Sequence, residues 1–281
     1  MKVVVYSVID EAGKGIAKEL LNLVKYSEAE VPKALKAYVV KDLDTIIACF
    51  REDVIYFDFL DEVFSKYDVN YYIVLSRHSA KSGIKSLTVH HTGNLTSSAQ
   101  AGGRPYELSV SNPPVTKELL LGLVKAREEF GLGDFEVTYE VTHHGPTGIK
   151  KPLTFIEIGS SIREWVLSNA HKALAHVVLN VITKERTNYC KAVVGVGGPH
   201  YAGTFTKRAL TSDECYGHII PRYSLRELKN NVGRLREIII KAVTLSSVTT
   251  KEFIVLKKVG KVVKDVINEV ASDLGVKVTV V

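Results

Sequence analysis

Residues 135–141 alternate in character. Phe135, Val137, Tyr139 and Val141 share one parity, and Glu136, Thr138 and Glu140 the other. Such a run requires a strand with one apolar and one polar face. The next residues, Thr142-His143-His144-Gly145-Pro146-Thr147, cannot prolong it. Proline has no amide hydrogen for a ladder, and glycine favours a turn. Two imidazoles are thereby placed at a strand end beside a turn, where open α/β sheets bind ligands.

Four other strand-like runs end in small polar residues, three of them with histidine. They are Ser76-Arg77-His78-Ser79, His90-His91-Thr92-Gly93-Asn94, Glu157-Ile158-Gly159-Ser160-Ser161 and Gly197-Gly198-Pro199-His200-Tyr201. These ends are expected to converge on one site. Parity allows only one of His90 and His91 to face it without a bulge. The same holds for His143 and His144, unless the following turn relaxes the alternation.

Between these ends the chain alternates strands and helices. Strands are expected over residues 2–9, 37–41, 45–48, 54–56, 70–75, 87–90, 135–142 and 153–158, with 70–75 and 135–142 central. Later strands fall at 191–196, 215–220, 253–256 and 276–281. Helices are expected over 60–67, 116–130, 160–183, 204–210, 225–243 and 259–274, on the spacing of their apolar positions. This alternation predicts an α/β fold, a three-layer α/β/α arrangement with a central mixed sheet, formed by residues 1–281 as a single domain. Residues 95–114 are rich in Ser, Gly, Ala and Pro without a period, and read as a flexible flap over the site. Gly13-Lys14-Gly15 lacks the third glycine of a dinucleotide fingerprint and reads as a plain strand-to-helix turn.

With 46% hydrophobic residues in 281, the chain is globular rather than disordered. No apolar run reaches the ~18 residues of a membrane span, and the first residues enter a strand directly instead of a signal segment. A cytoplasmic monomer is expected. Cys49, Cys190 and Cys215 form no CxxC pair, which argues against a thiolate zinc knot and for inert buried thiols. The net charge of +6 permits a phosphate-rich partner. Lys207, Arg208, Arg226, Arg234 and Arg236 are the first candidates for contacting one, against the alternative of a solvated helix face.

His78, His90, His143, His144 and His200, with Glu140 and Glu157, are of the types that ligate zinc through nitrogen and oxygen. A metal-free site, with one histidine as base and another orienting it, is equally compatible. Ser76, Ser79 and Ser160 are possible nucleophiles, although no GxSxG is present. His171 and His176, five apart on one helix, read as structural.

The five blocks, in this order from Ser76 to Tyr201, together resemble the archaeal and plant-type D-aminoacyl-tRNA deacylases. In that family the position of His91 varies, which favours His90. The resemblance implies a hydrolase that cleaves the ester between a D-amino acid, such as D-tyrosine, and tRNA, with zinc as cofactor activating water. It implies a fold similar to peptidyl-tRNA hydrolase and purine nucleoside phosphorylase. On this reading His78, His90, His143 and Glu157 are catalytic, and His144, His200 and Glu140 hold the metal. Ser76, Asn94, Gly145, Ser160, Gly197, Gly198 and Tyr201 contact the substrate, with the amides of Gly145 or Gly197-Gly198 near the developing oxyanion. The alternatives are a metal- or RNA-binding module without turnover, or another metal-dependent hydrolase of peptides or nucleosides.

Overall fold

The structure is a computed structural model that describes residues 1–185 and 189–281. In chain order its strands are β1 (Lys2–Ser7), β2 (Ser27–Glu28), β3 (Lys36–Val40), β4 (Thr45–Phe50), β5 (Tyr71–Ser79), β6 (Ser86–His90), β7 (Gly93–Asn94), β8 (Glu107–Leu108), β9 (Glu136–Tyr139), β10 (Leu153–Ser160), β11 (Lys191–Val196), β12 (Glu214–Ile220), β13 (Glu252–Val255) and β14 (Lys277–Val280). The helices are α1 (Glu11–Asn22), α2 (Leu60–Val63), α3 (Pro113–Glu129), α4 (Ile162–Trp165), α5 (Ser168–Ile182), α6 (Gly203–Thr211), α7 (Arg222–Leu228), α8 (Val232–Thr244) and α9 (Lys261–Leu274).

Eight strands form the central mixed sheet, in the order β2-β3-β4-β1-β5-β10-β6-β9. Residues on opposite parities of its strands enter two cores. Val4, Ile73, Leu75, Val89 and Ile156 face α1, α3 and α5. Val3, Val5, Val74 and Phe155 face α2 and an aromatic cluster of Phe50, Phe57 and Phe64. Helix α1 begins at Asp10, whose buried carboxylate accepts the Gly13 amide at 2.8 Å and satisfies one of the free N-terminal donors. Gly13 lies inside this helix, not in a turn. A Cβ there would stand 2.6 Å from the Leu75 carbonyl, so glycine lets α1 approach β5 closely.

Several boundaries differ from the sequence expectation. Residues 54–56 form a 3-10 turn, not a strand. The helical run over 60–67 shortens to α2, and the 160–183 and 225–243 runs each break into two helices. Strand β9 lies at the sheet edge, not its centre, while β5 is central as expected. Strands β11 to β14 do not join the central sheet. They form a second, parallel sheet in the order β12-β11-β13-β14. Helices α8 and α9 cover it from one side. Tyr216, Ile219 and Ile254 on its other face share the main core with α3.

Cys190 and Cys215 are joined in a disulfide, correcting the expectation of inert thiols; only Cys49 is free. The pairing follows from register. Ala192 stands opposite Cys215, which brings Cys190 to a Cα separation of 5.8 Å across β11 and β12. Residues 95–114 are not a free flap. Strand β8 within this stretch pairs with β7 just before it, Asn94 donates to the Gly102 carbonyl at 2.8 Å, and the Gly145 amide donates to Ala101 at 2.9 Å. Gly102, at φ +77°, packs so tightly that a Cβ would lie 2.0 Å from the Ile55 carbonyl.

Candidate active site

The site lies on one face of the central sheet, over β5, β10 and β6. On that face β5 presents Tyr72 and Val74 and then Ser76 and His78. β10 presents Leu153 and Phe155 and then Glu157. The same parity of β6 carries Ser86, Thr88 and His90. Pairing places Glu157 opposite both Ser76 and Thr88, and Phe155 opposite His90. Apolar side chains therefore give way to polar ones partway along β5 and β10, while β6 is polar throughout on this face. Because β6 runs antiparallel to β10, the site is not a row of strand ends on one edge, as the sequence alone suggests.

The chain leaving β9 closes over this face. The Glu140 amide still bonds Val89, then the Val141 amide turns to the His200 carbonyl at 3.1 Å and Thr142 to Ile219 at 2.9 Å. Glu140 also bridges to Tyr201. His143 and His144 then both enter the site, because His144 adopts a left-handed backbone at φ 41° that breaks the alternation. A Cβ on Gly145 would meet the backbone of residues 102–103 at 2.5 Å.

The rings stand together. Centroids are 4.4 Å apart for His90 and His143, 4.3 Å for His143 and His144, 4.6 Å for His143 and His200, and 5.7 Å for His78 and His200. His91 points to the other side of β6, where it bonds the Gly217 carbonyl, the Asn112 amide and Thr116. Parity and the turn thus select His90 but admit both members of the second pair. Neither His171 nor His176 belongs to the site: the first bonds the Trp165 carbonyl, and the second is solvent-exposed beside Phe130.

Tautomers follow from the backbone. His90, His143 and His144 each place Nδ1 against a carbonyl, of His91 (3.2 Å), Val141 (2.8 Å) and Gly145 (2.6 Å). An Nδ1–H donated to a carbonyl leaves Nε2 with a free lone pair, the arrangement that orients metal-ligating histidines. Burial and neighbouring imidazoles hold His143 well below the usual range and bring His144 down to about 4, so both are neutral. Burial opposes charge on Glu157 and Glu140 as well, but the adjacent histidines outweigh it and keep both carboxylates ionised. In turn His78 and His90 are raised against the opposing effect of their burial, His78 by Glu157 and Glu140 and His90 chiefly by Glu157.

Two donor sets have their ligand atoms within 4.8 Å of one another: His90, His143 and His144, and His78, Glu140 and His200. A third, His90 with Glu140 and Glu157, links them. Among the described residues His90 Nε2 and Glu140 Oε1 are buried without a well-formed hydrogen bond, although they face Glu157 at 3.5 Å and His78 at 3.0 Å. Orphaned buried atoms at the centre of an all-nitrogen and oxygen donor set are what a zinc-type site requires, so the residues fit such an ion. The grouping redraws the expected division, since His144 lies with His90 and His143, apart from His200 and Glu140.

A cavity of about 270 Å³ opens above the cluster, lined by Asp53, Ile55, Arg77, His144, Glu157 and His200 among others. Ser76 also lines it, with its hydroxyl 3.4 Å from Asp10. Tyr201 bonds His78 Nε2 through its hydroxyl at 3.0 Å, and the Ser160 hydroxyl is buried without a partner. Asn94 is a brace for the 95–114 stretch. Two of the expected oxyanion amides are engaged: Gly145 donates to Ala101, and Gly197 to Ile220 at 2.8 Å. Gly197 and Gly198 line a separate cavity. Sequence reasoning missed Asp10, which accepts the Arg77 amide at 2.9 Å, and Asp53, which pairs with Arg77 at 2.6 Å. The only signal was an acidic residue after β1 and another after β4. Of the basic residues expected to meet a polyanion, Arg208, Arg234 and Arg236 are paired with Glu214, Glu237 and Asp273. Among the described residues no helix is long and apolar enough to cross a membrane.

A D-aminoacyl-tRNA deacylase from Desulfurococcus amylolyticus is 43% identical over 255 residues, 90% of each chain. One from Archaeoglobus fulgidus is 38% identical over 281 residues, 99% of this chain and 95% of that one. The crystal structure of AF0625, a conserved protein of unknown function, superposes with a TM-score of 0.90 at 37% identity, covering 100% of this chain and 95% of the other. A Campylobacter jejuni methylthioadenosine/S-adenosylhomocysteine nucleosidase aligns over 65% of this chain at a TM-score of 0.41 and 12% identity. The family profile for D-aminoacyl-tRNA deacylase matches residues 65–279, a span that holds all seven members of the His/Glu cluster, and the chain belongs to that family.

Proposed function

We propose that this chain hydrolyses the ester joining a D-amino acid, D-tyrosine among them, to the 3′ end of tRNA, with zinc as its resident cofactor. The activity is the one for which its relatives are named. The observation that carries the reading is the convergence of three imidazoles, His90, His143 and His144, on a second group of His78, Glu140 and His200. His90, His143 and His144 would hold the ion, with Glu157 and the second group beside it. Bound there, zinc would lower the pKa of water to about 7 and polarise the ester carbonyl.

The chain's own groups supply the rest. Glu157, ionised and buried, orients the attacking water and steadies the charge of His78. His78, held between Glu140 at 3.0 Å and the Tyr201 hydroxyl, carries the proton that the leaving ribose oxygen needs. The small cavity suits a single aminoacyl group and excludes bulk water from the ester.

The test is deacylation of D-Tyr-tRNA against L-Tyr-tRNA, before and after complete chelation. Release of D-tyrosine that is lost on chelation and restored by zinc is expected. No release of D-tyrosine overturns the deacylase reading; release untouched by metal removal overturns its zinc component alone.

A further inference from the structure

A second cavity, of about 440 Å³, lies at the carboxyl ends of β11 and β13, where parallel sheets bind ligands. Gly197, Gly198 and Pro199 form one wall, Leu256 and Val259 another, and Thr204 in the first turn of α6 a third. The walls are largely apolar. Arg222, Lys257 and Lys258, all three exposed, line it together with Val281, and among the described residues no acidic side chain joins them. Among the described residues none of the three has an ion-pair or side-chain hydrogen-bond partner. The helix arginines Arg208, Arg234 and Arg236, by contrast, are neutralised.

This cavity is separate from the one over the candidate active site but adjoins it along the chain. Pro199 in its wall is followed directly by His200 of the donor cluster, and Gly197 is three peptide steps from His200, at most about 11 Å. Tyr223, next to Arg222, is 49% exposed and stands on the cluster side. Partial burial raises its phenol to about 12, and the Glu140 carboxylate adds to the shift.

We propose that this cavity, with the exposed Tyr223 next to its Arg222, holds the single-stranded 3′ nucleotides of tRNA that precede the esterified one. An apolar slot takes a base, Tyr223 offers a stacking face, and Arg222, Lys257 and Lys258 meet the phosphates. This is the combination by which proteins hold single strands without groove readout. The two cavities divide the substrate by chemistry: the ionic one takes the aminoacyl ester, and the basic, apolar one the polyanionic strand. The proposal rests on the deacylase reading for the identity of the strand.

The test compares the wild-type chain with the triple variant Arg222→Ala, Lys257→Ala, Lys258→Ala. One arm measures fluorescence anisotropy of a 5′-labelled single-stranded RNA ending in CCA, over a salt series. The variant is expected to bind about ten- to a hundredfold more weakly, with a salt slope lower by about 2, at ~0.7 for each phosphate no longer neutralised. Tyr223→Ala is expected to weaken binding about tenfold, and Tyr223→Phe to preserve it. The other arm measures hydrolysis of D-Tyr-tRNA and of the D-tyrosyl ester of adenosine, which lacks the upstream nucleotides. The triple variant is expected to lose kcat/KM on the tRNA and keep it on the adenosine ester, which also shows that it folds. RNA binding with an unchanged salt slope overturns the proposal, as does an equal loss on both substrates. If the wild type hydrolyses neither ester, the deacylase reading fails, and the RNA arm still decides the cavity.

Discussion

His218 gives the sharpest quantitative expectation. It is fully buried on β12, with Nε2 donating to the Ser109 carbonyl at 3.0 Å and Nδ1 accepting from Thr142 at 3.1 Å. Both ring nitrogens are thus satisfied in the neutral form. Burial brings its pKa down from 6.5 to about 4. The unfolded chain takes up this proton below 6.5 and the folded one does not until about 4. The contribution to stability is therefore complete above pH 6.5 and is lost as the pH falls toward 4. At pH 5 the loss is about 2 kcal/mol, one and a half pH units at ~1.36 kcal/mol each. The assay is urea unfolding of chelated wild type and His218→Gln at pH 7.5 and 5.0, read as a difference so that other titrations cancel. Glutamine costs a constant amount for altered hydrogen bonding. The stability advantage of the wild type should shrink by about 2 kcal/mol between the two pH values. An advantage unchanged to within ~0.5 kcal/mol would refute the reasoning, because His218 would then titrate alike in both states.

Three further outcomes are expected. His144→Ala should lower both zinc content and kcat on D-Tyr-tRNA by a hundredfold or more while thermal stability of the chelated chain changes little; a variant that keeps full zinc and activity would remove His144 from the site. Asp10→Ala should cost about 2 kcal/mol, since it uncaps α1 and strips the acceptor from the Arg77 amide; chemical denaturation measures it, and a loss under ~0.5 kcal/mol would contradict the buried geometry. Gly102→Ala should destabilise by roughly 2–4 kcal/mol, because its Cβ meets the Ile55 carbonyl at 2.0 Å and its φ is positive; a soluble variant of wild-type midpoint would show that the 95–114 stretch is not pinned.

How far the sequence can be read depends on whether the governing contact is local. Alternation in β9 and the apolar run of β5 depend on residues a few positions apart, and both are legible. Their rank in the sheet is not, since β9 joins an edge through pairing with β6, 50 residues away. The second sheet is hidden for the same reason: β11 and β13 read as buried strands wherever they pair. The disulfide needs the β11–β12 register, which no spacing rule supplies. At the site, residue types and block order mark all seven His/Glu members. Which of them share a face depends on the antiparallel placement of β6 and the left-handed turn at His144. Two of the glycine amides expected to stabilise an oxyanion are instead engaged, because their acceptors, Ala101 and Ile220, come from other segments.

The main-chain stitches from Val141 to His200 and from Thr142 to Ile219 have a consequence beyond geometry. They make the catalytic centre a seam between the two sheets, with Glu140, His143 and His144 contributed from one side and His200 from the other. A chain whose C-terminal sheet is unseated lacks His200 and Tyr201 at the site, so an intact centre requires both sheets in place. Conversely, a ligand bound across the seam would act as a clasp: by mass action it would favour the closed form over any state in which the two sheets part.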